Sequence, residues 1–457
     1  MTTALRPSAT PRIRWNTLVI LKRSRAAILA LDALLLIAIV TAAGVHRAAM
    51  QTIGKDAAPS IIAAQQIKSG LADMDASAAN ELLSPPNSAP PSAARYDRQR
   101  VAASKALIEA AKNITYGDSE QIPITTLQVS TGIYERLIQQ AMDFQDADQA
   151  DLSVRYYRHA TSMMNAALLP AADALDQAND VVLERTYREE TRHSLMARLL
   201  VFLVGLLTLG LLGVTQVFLA RRMHRLLNPF LVAATLVTLW ITFYSFAGLG
   251  GEEHHLKVAK EDAFTSIRAL YRARATAYSA HGDEDRYLLD PVFAADAQRD
   301  FFEKSRSLAN LPASTYSQQV IAAVANGKSV PGFTGYLADE LNNITFPGER
   351  EAAVQTLAAF EHYLEIDAEI RQLERAGKHQ DAINRVVGNW EGQSDWAFDQ
   401  FDHALLRTLT INQQAFDQSV QEGFSDVNHL EIKAAVAAAL VAILAALGLA
   451  VRIREYE

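Results

Sequence analysis

The sequence predicts an all-α membrane protein with four transmembrane helices and two extracytoplasmic antiparallel helical bundles, built by internal duplication. Three observations carry that expectation. Four apolar runs, at 26–45, 197–220, 230–249 and 434–451, each approach the roughly 20 residues that cross a hydrocarbon core of about 30 Å. Two long polar segments, at 46–196 and 250–433, lie between the first and second runs and between the third and fourth. Within those segments small and apolar residues recur every three or four positions, and no convincing two-residue alternation argues for a sheet.

The totals agree with this layout. A chain of 457 residues, half of them hydrophobic, has room for two domains and the spans. A net charge of −8 is modest for the length and gives no sign of a nucleic-acid partner. The absence of cysteine excludes disulfides, thiolate metal sites and a cysteine nucleophile. Ordinary packing must then hold the polar segments, which suits a bacterial cell-envelope protein better than a small secreted scaffold.

Orientation follows from basic residues near the span ends. The tail at 1–25 carries Arg6, Arg12, Arg14, Lys22, Arg23 and Arg25 with no Asp or Glu. The loop at 221–229 carries Arg221, Arg222 and Arg225, and the tail at 452–457 carries Arg452 and Arg454. With four spans all three segments share one face. The expectation is a multi-pass protein of the bacterial plasma membrane with both termini in the cytoplasm. A cleaved signal peptide also has a basic leader and small residues at its end. However, the run at 26–45 is longer than the usual 7–15-residue signal core, and the second half has an uncleavable counterpart.

Along the chain, the first polar helix reads from Ile53, Ala57, Ser60, Ala64, Ile67, Leu71, Met74, Ala78 and Leu82, which share one stripe. Nothing stronger than Gly54 separates it from the first span, so helix and span read as one rod. The prolines at 85–91 stop it. A second helix fits 93–112, a third fits 123–144 with Pro123 at its start, and a fourth begins near Asp151 with a kink at Pro170. These four make an antiparallel bundle. The second half repeats the pattern, with 252–289 and 394–451 as its membrane-joined rods.

Sliding the sequence by 206 positions superposes Gly44 on Gly250, Ala57 on Ala263, Ser60-Ile61 on Ser266-Ile267, Leu82-Leu83 on Leu288-Leu289 and Pro85 on Pro291. The fourth run comes later than this offset predicts. The extra residues are expected at 350–389, read as a hairpin turning at Ala376-Gly377.

Candidate chemistry is sparse. Asp32 is an intramembrane carboxylate, which is costly and needs a partner, water or the interface. The other runs carry no central Asp, Glu or Lys, which weighs against a transporter. Ala434, Ala438, Ala442, Ala446 and Ala450 recur at i+4, a spacing that lets helices approach closely in lipid. The row packs on another span of this chain or on a second protein, a homodimer included, or else belongs to an Ala-rich anchor with no partner. Arg268 and Arg272 lie one turn apart with Tyr271 between them. Two guanidinium groups on one face can fork onto a carboxylate ligand or simply form salt bridges. The pair His254-His255 points in two directions on a helix and makes a poor metal site. The acidic runs at 143–151 and 283–285 lack the glycine and terminal Glu of an EF-hand and read as solvated turns. No cofactor, metal set or catalytic arrangement is expected, and nothing in the residues supports an enzyme.

The outer segments resemble the four-helix-bundle sensor domains of bacterial chemoreceptors and sensor kinases. A closer resemblance, on Thr131-Gly132-Ile133-Tyr134, Val154-Arg155-Tyr156-Tyr157-Arg158, Leu168-Leu169-Pro170-Ala171-Ala172, 263–274, 283–290 and Arg452-Ile453-Arg454-Glu455-Tyr456, is to duplicated four-span membrane proteins of actinobacteria of the GlnX type. That resemblance implies a relay between an extracytoplasmic amino-acid-binding protein and a cytoplasmic Ser/Thr kinase. The cytoplasmic segments are too short to be a kinase themselves, so an output must pass to a separate protein. A scaffold or accessory subunit of an envelope complex is the alternative.

Overall fold

The computed structural model describes residues 17–88, 90–223, 228–312 and 317–454. Arg6, Arg12, Arg14 and Arg225 of the basic segments, and Glu455 and Tyr456 of the tail, lie outside the described residues. In the first half, α1 (Thr17–Gln51) passes through a π-helical turn (Thr52–Ala57) into α2 (Ala58–Leu83). There follow α3 (Pro91–Lys112), α4 (Asp118–Asp146), α5 (Ala150–Met163), a second π-helical turn (Met164–Leu168) and α6 (Leu169–Met223). The second half runs α7 (Pro229–Lys257), a third π-helical turn (Val258–Phe264), α8 (Thr265–Leu289), α9 (Ala294–Leu308), α10 (Ser317–Ala325) and α11 (Tyr336–Asn342). It closes with α12 (Glu349–Arg375), α13 (His379–Val386), α14 (Ser394–Val427) and α15 (Leu430–Arg454). Among the described residues there is no strand, only an antiparallel bridge between Asn310 and Thr334.

Among the described residues four helices are long and apolar enough to cross a membrane, Thr17–Leu83, Ala150–Arg222, Pro229–Leu289 and Ser394–Arg454. They contribute to an apolar unit formed by 17–49, 188–254 and 422–454. Its core has two layers, each drawn from all four helices. Ile39, Val204, Ile241 and Ala437 belong to one. Ile28, Leu212, Ala234 and Ala445 belong to the other. Leu203, Leu207, Val214, Leu236 and Ile443 point outward. Helices apolar on every side need an apolar surrounding, which is what a bilayer supplies. Asp32 faces inward here and is only 5% exposed. The buried face of α15 is Ala434, Ala437, Val441, Ala445 and Gly448. Ala434 thus packs inside, while Ala438, Ala442, Ala446 and Ala450 are only half-buried. A strict i+4 row drifts around a helix of 3.6 residues per turn, so the packed stripe alternates steps of three and four.

The polar unit comprises 50–187 and 255–421, so the two polar segments share one compact body. Its axis is the pair α2 and α8. Gln66 bonds Tyr271 and Asn80 bonds Asp285, both 205 positions apart, so the two helices run parallel and in register. Close approach is possible because small residues face each other. A Cβ on Gly282 would lie 3.3 Å from the Cα of Ala76. Around α2, the helices α3, α4, α5 and the start of α6 bury Ala103, Leu127, Tyr134, Tyr157 and Leu175 in one core. The expected helix bounds hold to within a few residues, with α4 starting ahead of Pro123. At Pro170 a π-helical turn ends just before the ring, as another does before Pro59. Proline has no N–H to offer, and widening the preceding turn relieves its clash with the carbonyl one turn back.

The same kinds of bond recur in the two halves. Asn113 Nδ2 donates to the Asp56 carbonyl and the Ser60 hydroxyl, and Asn343 Nδ2 to the Asp262 carbonyl and the Ser266 hydroxyl. Glu120 accepts from the amides of Thr115 and Tyr116, and Glu349 from those of Thr345 and Phe346. Between the first polar rod and the asparagine, the first half has α3, and the second half has α9, α10 and α11. The stretch 350–389 forms the expected helical hairpin, α12 and α13, turning at Ala376-Gly377. The turn at Gly377 (φ 72°) is matched in the first half by the turn at Asp148 (φ 58°).

Candidate functional site

The α2–α8 seam is lined with charge. On α2 Asp73, Asp75, Ser77 and Asn80 are buried, and on α8 His281, Asp283, Glu284 and Asp285 are. The acidic run at 283–285 is thus inside the fold, with Glu284 fully covered, and is not the solvated turn its composition suggests. The run at 143–151 does lie at an exposed turn, between α4 and α5.

Basic side chains from several helices make this burial tolerable. Arg286 donates to Asp75 at 2.7 Å and to Asp283 at 2.6 Å, and also reaches the Tyr157 hydroxyl. Arg95, arriving from α3, bridges Asp73 (2.8 Å), Asp399 (2.6 Å) and the Tyr278 hydroxyl (2.9 Å). Arg274 grips Asp402 with two nitrogens. His281 lies between Glu284 (3.2 Å) and Asp395 (3.1 Å), its ring stacked on Phe398 at 4.2 Å. Burial alone would lower the His281 imidazole. The hydrogen bonds with Asp395 and Glu284 outweigh burial and hold it well above its usual range, as a cation. Burial pushes the Asp285 carboxyl well up, and the charges of Asp395 and Glu284 add to this against His281.

Two cavities in the polar unit have charged walls. One of ≈ 70 Å³, lined by Asp73, Asn80, Arg95, His281, Asp395 and Asp399, lies among α2, α3, α8 and α14. A larger one of ≈ 600 Å³ lies among α6, α8 and α11, with Asp180, Glu184, Lys260, Arg268, Arg272 and Asp339 in its wall.

Of the residues that the sequence offers as a ligand site, Arg268 and Arg272 reach the larger cavity and Tyr271 does not. Tyr271 is 6% exposed and its hydroxyl accepts from Gln66 across the α2–α8 seam. Arg268 donates to Asp180 at 2.6 Å and Asp176 at 2.7 Å, and Arg272 to Asp176 at 3.2 Å. Burial works to raise Asp176, but the donors Arg268 and Gln65, with Arg272 nearby, hold it below the usual carboxylate range. Lys260 pairs with Glu184 at 2.7 Å. The wall is therefore a set of internal ion pairs. A ligand carrying both signs of charge can exchange into such pairs without stranding either partner, whereas a simple anion would have to displace an acid.

Sequence reasoning missed the buried network because its partners stand far apart in the chain. It also missed a signal that was present: Asn-Ile-Thr-aromatic occurs at 113–116 and again at 343–346.

Residues 49–188 match the family model of the actinobacterial sensor domain. No curated protein and no solved structure matches the chain. The matched stretch covers α2 to the first part of α6, and the match supports a sensing or signalling role.

Proposed function

We propose that the chain is a multi-pass transmembrane sensor of the bacterial plasma membrane. In this reading the polar unit lies outside the cell, both termini lie in the cytoplasm, and the signal passes to a separate cytoplasmic protein. The sensor-domain match at 49–188, in a chain with four span-length apolar helices, carries the proposal.

We also read the two halves as a duplication. The matched Asn113 and Asn343 bonds support this, as do two ion pairs in the apolar unit. Arg47 pairs with Glu431 at 2.8 Å, and Glu253, at the position matching Arg47, pairs with Arg198 at 2.8 Å. The contact is kept and its polarity is exchanged.

The proposed stimulus is a small zwitterion such as an amino acid in the cavity walled by Arg268 and Arg272, or a solute-binding protein loaded with one. A stimulus acts only by preferring one arrangement of the helices. The register-matched α2 and α8 are a pair of parallel rods that can shift against each other. The proposed output partner is a Ser/Thr kinase, as in the GlnX-type proteins the chain resembles.

Affinity capture of the full-length chain from its native membranes tests the reading. Recovery of a solute-binding lipoprotein together with a kinase is the expected result. Recovery of cell-wall or secretion machinery alone would instead make the chain a scaffold.

A further inference from the structure

His46, Glu190 and Glu252 meet at one end of the apolar unit. His46 follows directly on the run at 26–45, Glu252 comes just after the run at 230–249, and Glu190 just before the run at 197–220. All three are buried, at 0%, 4% and 0% exposure. One ligand atom from each lies within 4.8 Å of the others. His46 Nδ1 bonds Glu252 Oε2 and stands 3.0 Å from Glu190 Oε1.

This cluster is not satisfied by its own hydrogen bonds. One imidazole nitrogen carries at most one proton and can serve one carboxylate. Glu190 Oε1, Glu252 Oε1 and His46 Nε2 are all buried without a hydrogen-bond partner. Were both carboxyls ionised, one negative charge would stay uncompensated even beside a protonated imidazole. A buried charge in that state is strongly disfavoured.

A divalent cation held by His46 Nδ1, Glu190 Oε1 and Glu252 Oε2 balances the charge and gives Glu190 Oε1 a partner. Two carboxylate oxygens and one imidazole nitrogen match its charge and form a mixed donor set suited to Zn²⁺ or Mn²⁺ rather than to the all-oxygen preference of Ca²⁺ or Mg²⁺. Donors bonded at 2.0–2.2 Å lie about 3.0–3.4 Å apart around such an ion, and the Nδ1 to Glu190 separation already falls there. Only the His46–Glu252 bond must open.

We propose that His46, Glu190 and Glu252 bind a divalent transition-metal ion that ties α1, α6 and α7 together. Among the described residues there is one such site. His46 and Glu252 occupy matched positions of the two halves, 206 apart, whereas the position matching Glu190 is Gly423, judged from the matched contacts of Arg198 and Glu431. No motif signals the site in the sequence, because its three ligands come from three helices far apart in the chain. The proposal stands independently of the sensor reading.

The test is metal binding by the full-length protein, purified in detergent and stripped with chelator. After incubation with Zn²⁺ or Mn²⁺ and gel filtration, one equivalent per chain should remain and the melting temperature should rise. Bound Co²⁺ should give a visible absorption band. Glu190→Gln should lose the equivalent, the band and the thermal shift, and a chain carrying His254→Ala with His255→Ala should keep all three. Should Glu190→Gln fail to fold, His46→Gln and the wild-type stoichiometry decide the matter in the same way. Absence of stoichiometric binding by the wild-type chain overturns the proposal. So does an equivalent that survives Glu190→Gln but vanishes with the two neighbouring histidines.

Discussion

Glu340 is 1% exposed, accepts from Asn412 at 3.3 Å, and lies beside the buried carboxylate of Glu349. Burial pushes its carboxyl up to about 8, with Ser266 opposing and Glu349 adding. Burial likewise pushes Asp367 up to about 7; Glu284 adds to the push and Arg371 opposes it. Both groups keep a proton in the folded chain at pH values where the unfolded chain has released it. Their contribution to stability is therefore full below about pH 4 and is lost as pH rises through about 7 to 8. His281, held as a cation, acts in the same direction. Asp176 and Asp402, held low, act oppositely but only at the acid end, where stability falls as pH drops through their lowered values. The expected outcome is a melting temperature for the full-length chain in detergent that is several degrees lower at about pH 8.5 than at about pH 5.5. Glu340→Gln, which keeps the hydrogen-bonding shape without a titrating proton, should flatten part of that slope. An unchanged slope would mean that Glu340 carries no proton in the fold.

At the scale of elements, the π-helical turns at Thr52–Ala57 and Val258–Phe264 explain why two asparagines recur. A π turn disturbs the regular i−4 ladder and leaves carbonyls in need of donors. Asn113 reaches Asp56 and Asn343 reaches Asp262, each from the turn before the next long helix. Asn113→Ala and Asn343→Ala should each cost about 1–2 kcal/mol, the usual penalty for a part-buried acceptor deprived of its donor. The pair shares no partner, so the double variant should be additive to within about 0.5 kcal/mol in unfolding titrations. A neutral effect at either site would show that water serves the freed carbonyl equally well. These elements also show what a sequence can and cannot reveal. The spans and the bounds of α3 were legible because hydropathy and helical period are local properties. The buried acids at 283–285 were not, because a carboxylate reads as solvated until Arg286, Lys304 and Asn80 are known to surround it. The contact face of α15 was half legible: small residues marked the helix as a packing element, but the choice between steps of three and four depends on its neighbours. The larger cavity was also half legible. Two arginines one turn apart left a carboxylate ligand or salt bridges open, and nothing local foretold that Asp176 and Asp180 would hold them.

For the whole molecule, charge distribution along the spans predicts an orientation that can be tested. Lys22, Arg23, Arg25, Arg221, Arg222, Arg452 and Arg454 mark one end of the apolar runs. The other end carries the paired contacts Arg47–Glu431 and Arg198–Glu253, in which each cation is matched by an acid. Basic residues close to span ends are retained on the cytoplasmic side, so the polar unit should face outward. The chain contains no cysteine, so a single introduced thiol reports its own side without background. Lys328 and Arg222 are both exposed, the first in the polar unit and the second at the basic end of the spans. A membrane-impermeant maleimide should label Lys328→Cys in intact cells, and should label Arg222→Cys only after the cells are opened. Both substitutions remove surface charges away from any core, so each variant should fold and melt like the parent. The reverse pattern would place the α2–α8 pair, both cavities and the sensor-type stretch at 49–188 in the cytoplasm, where no extracellular solute could reach them, and the proposed direction of signalling would have to be abandoned.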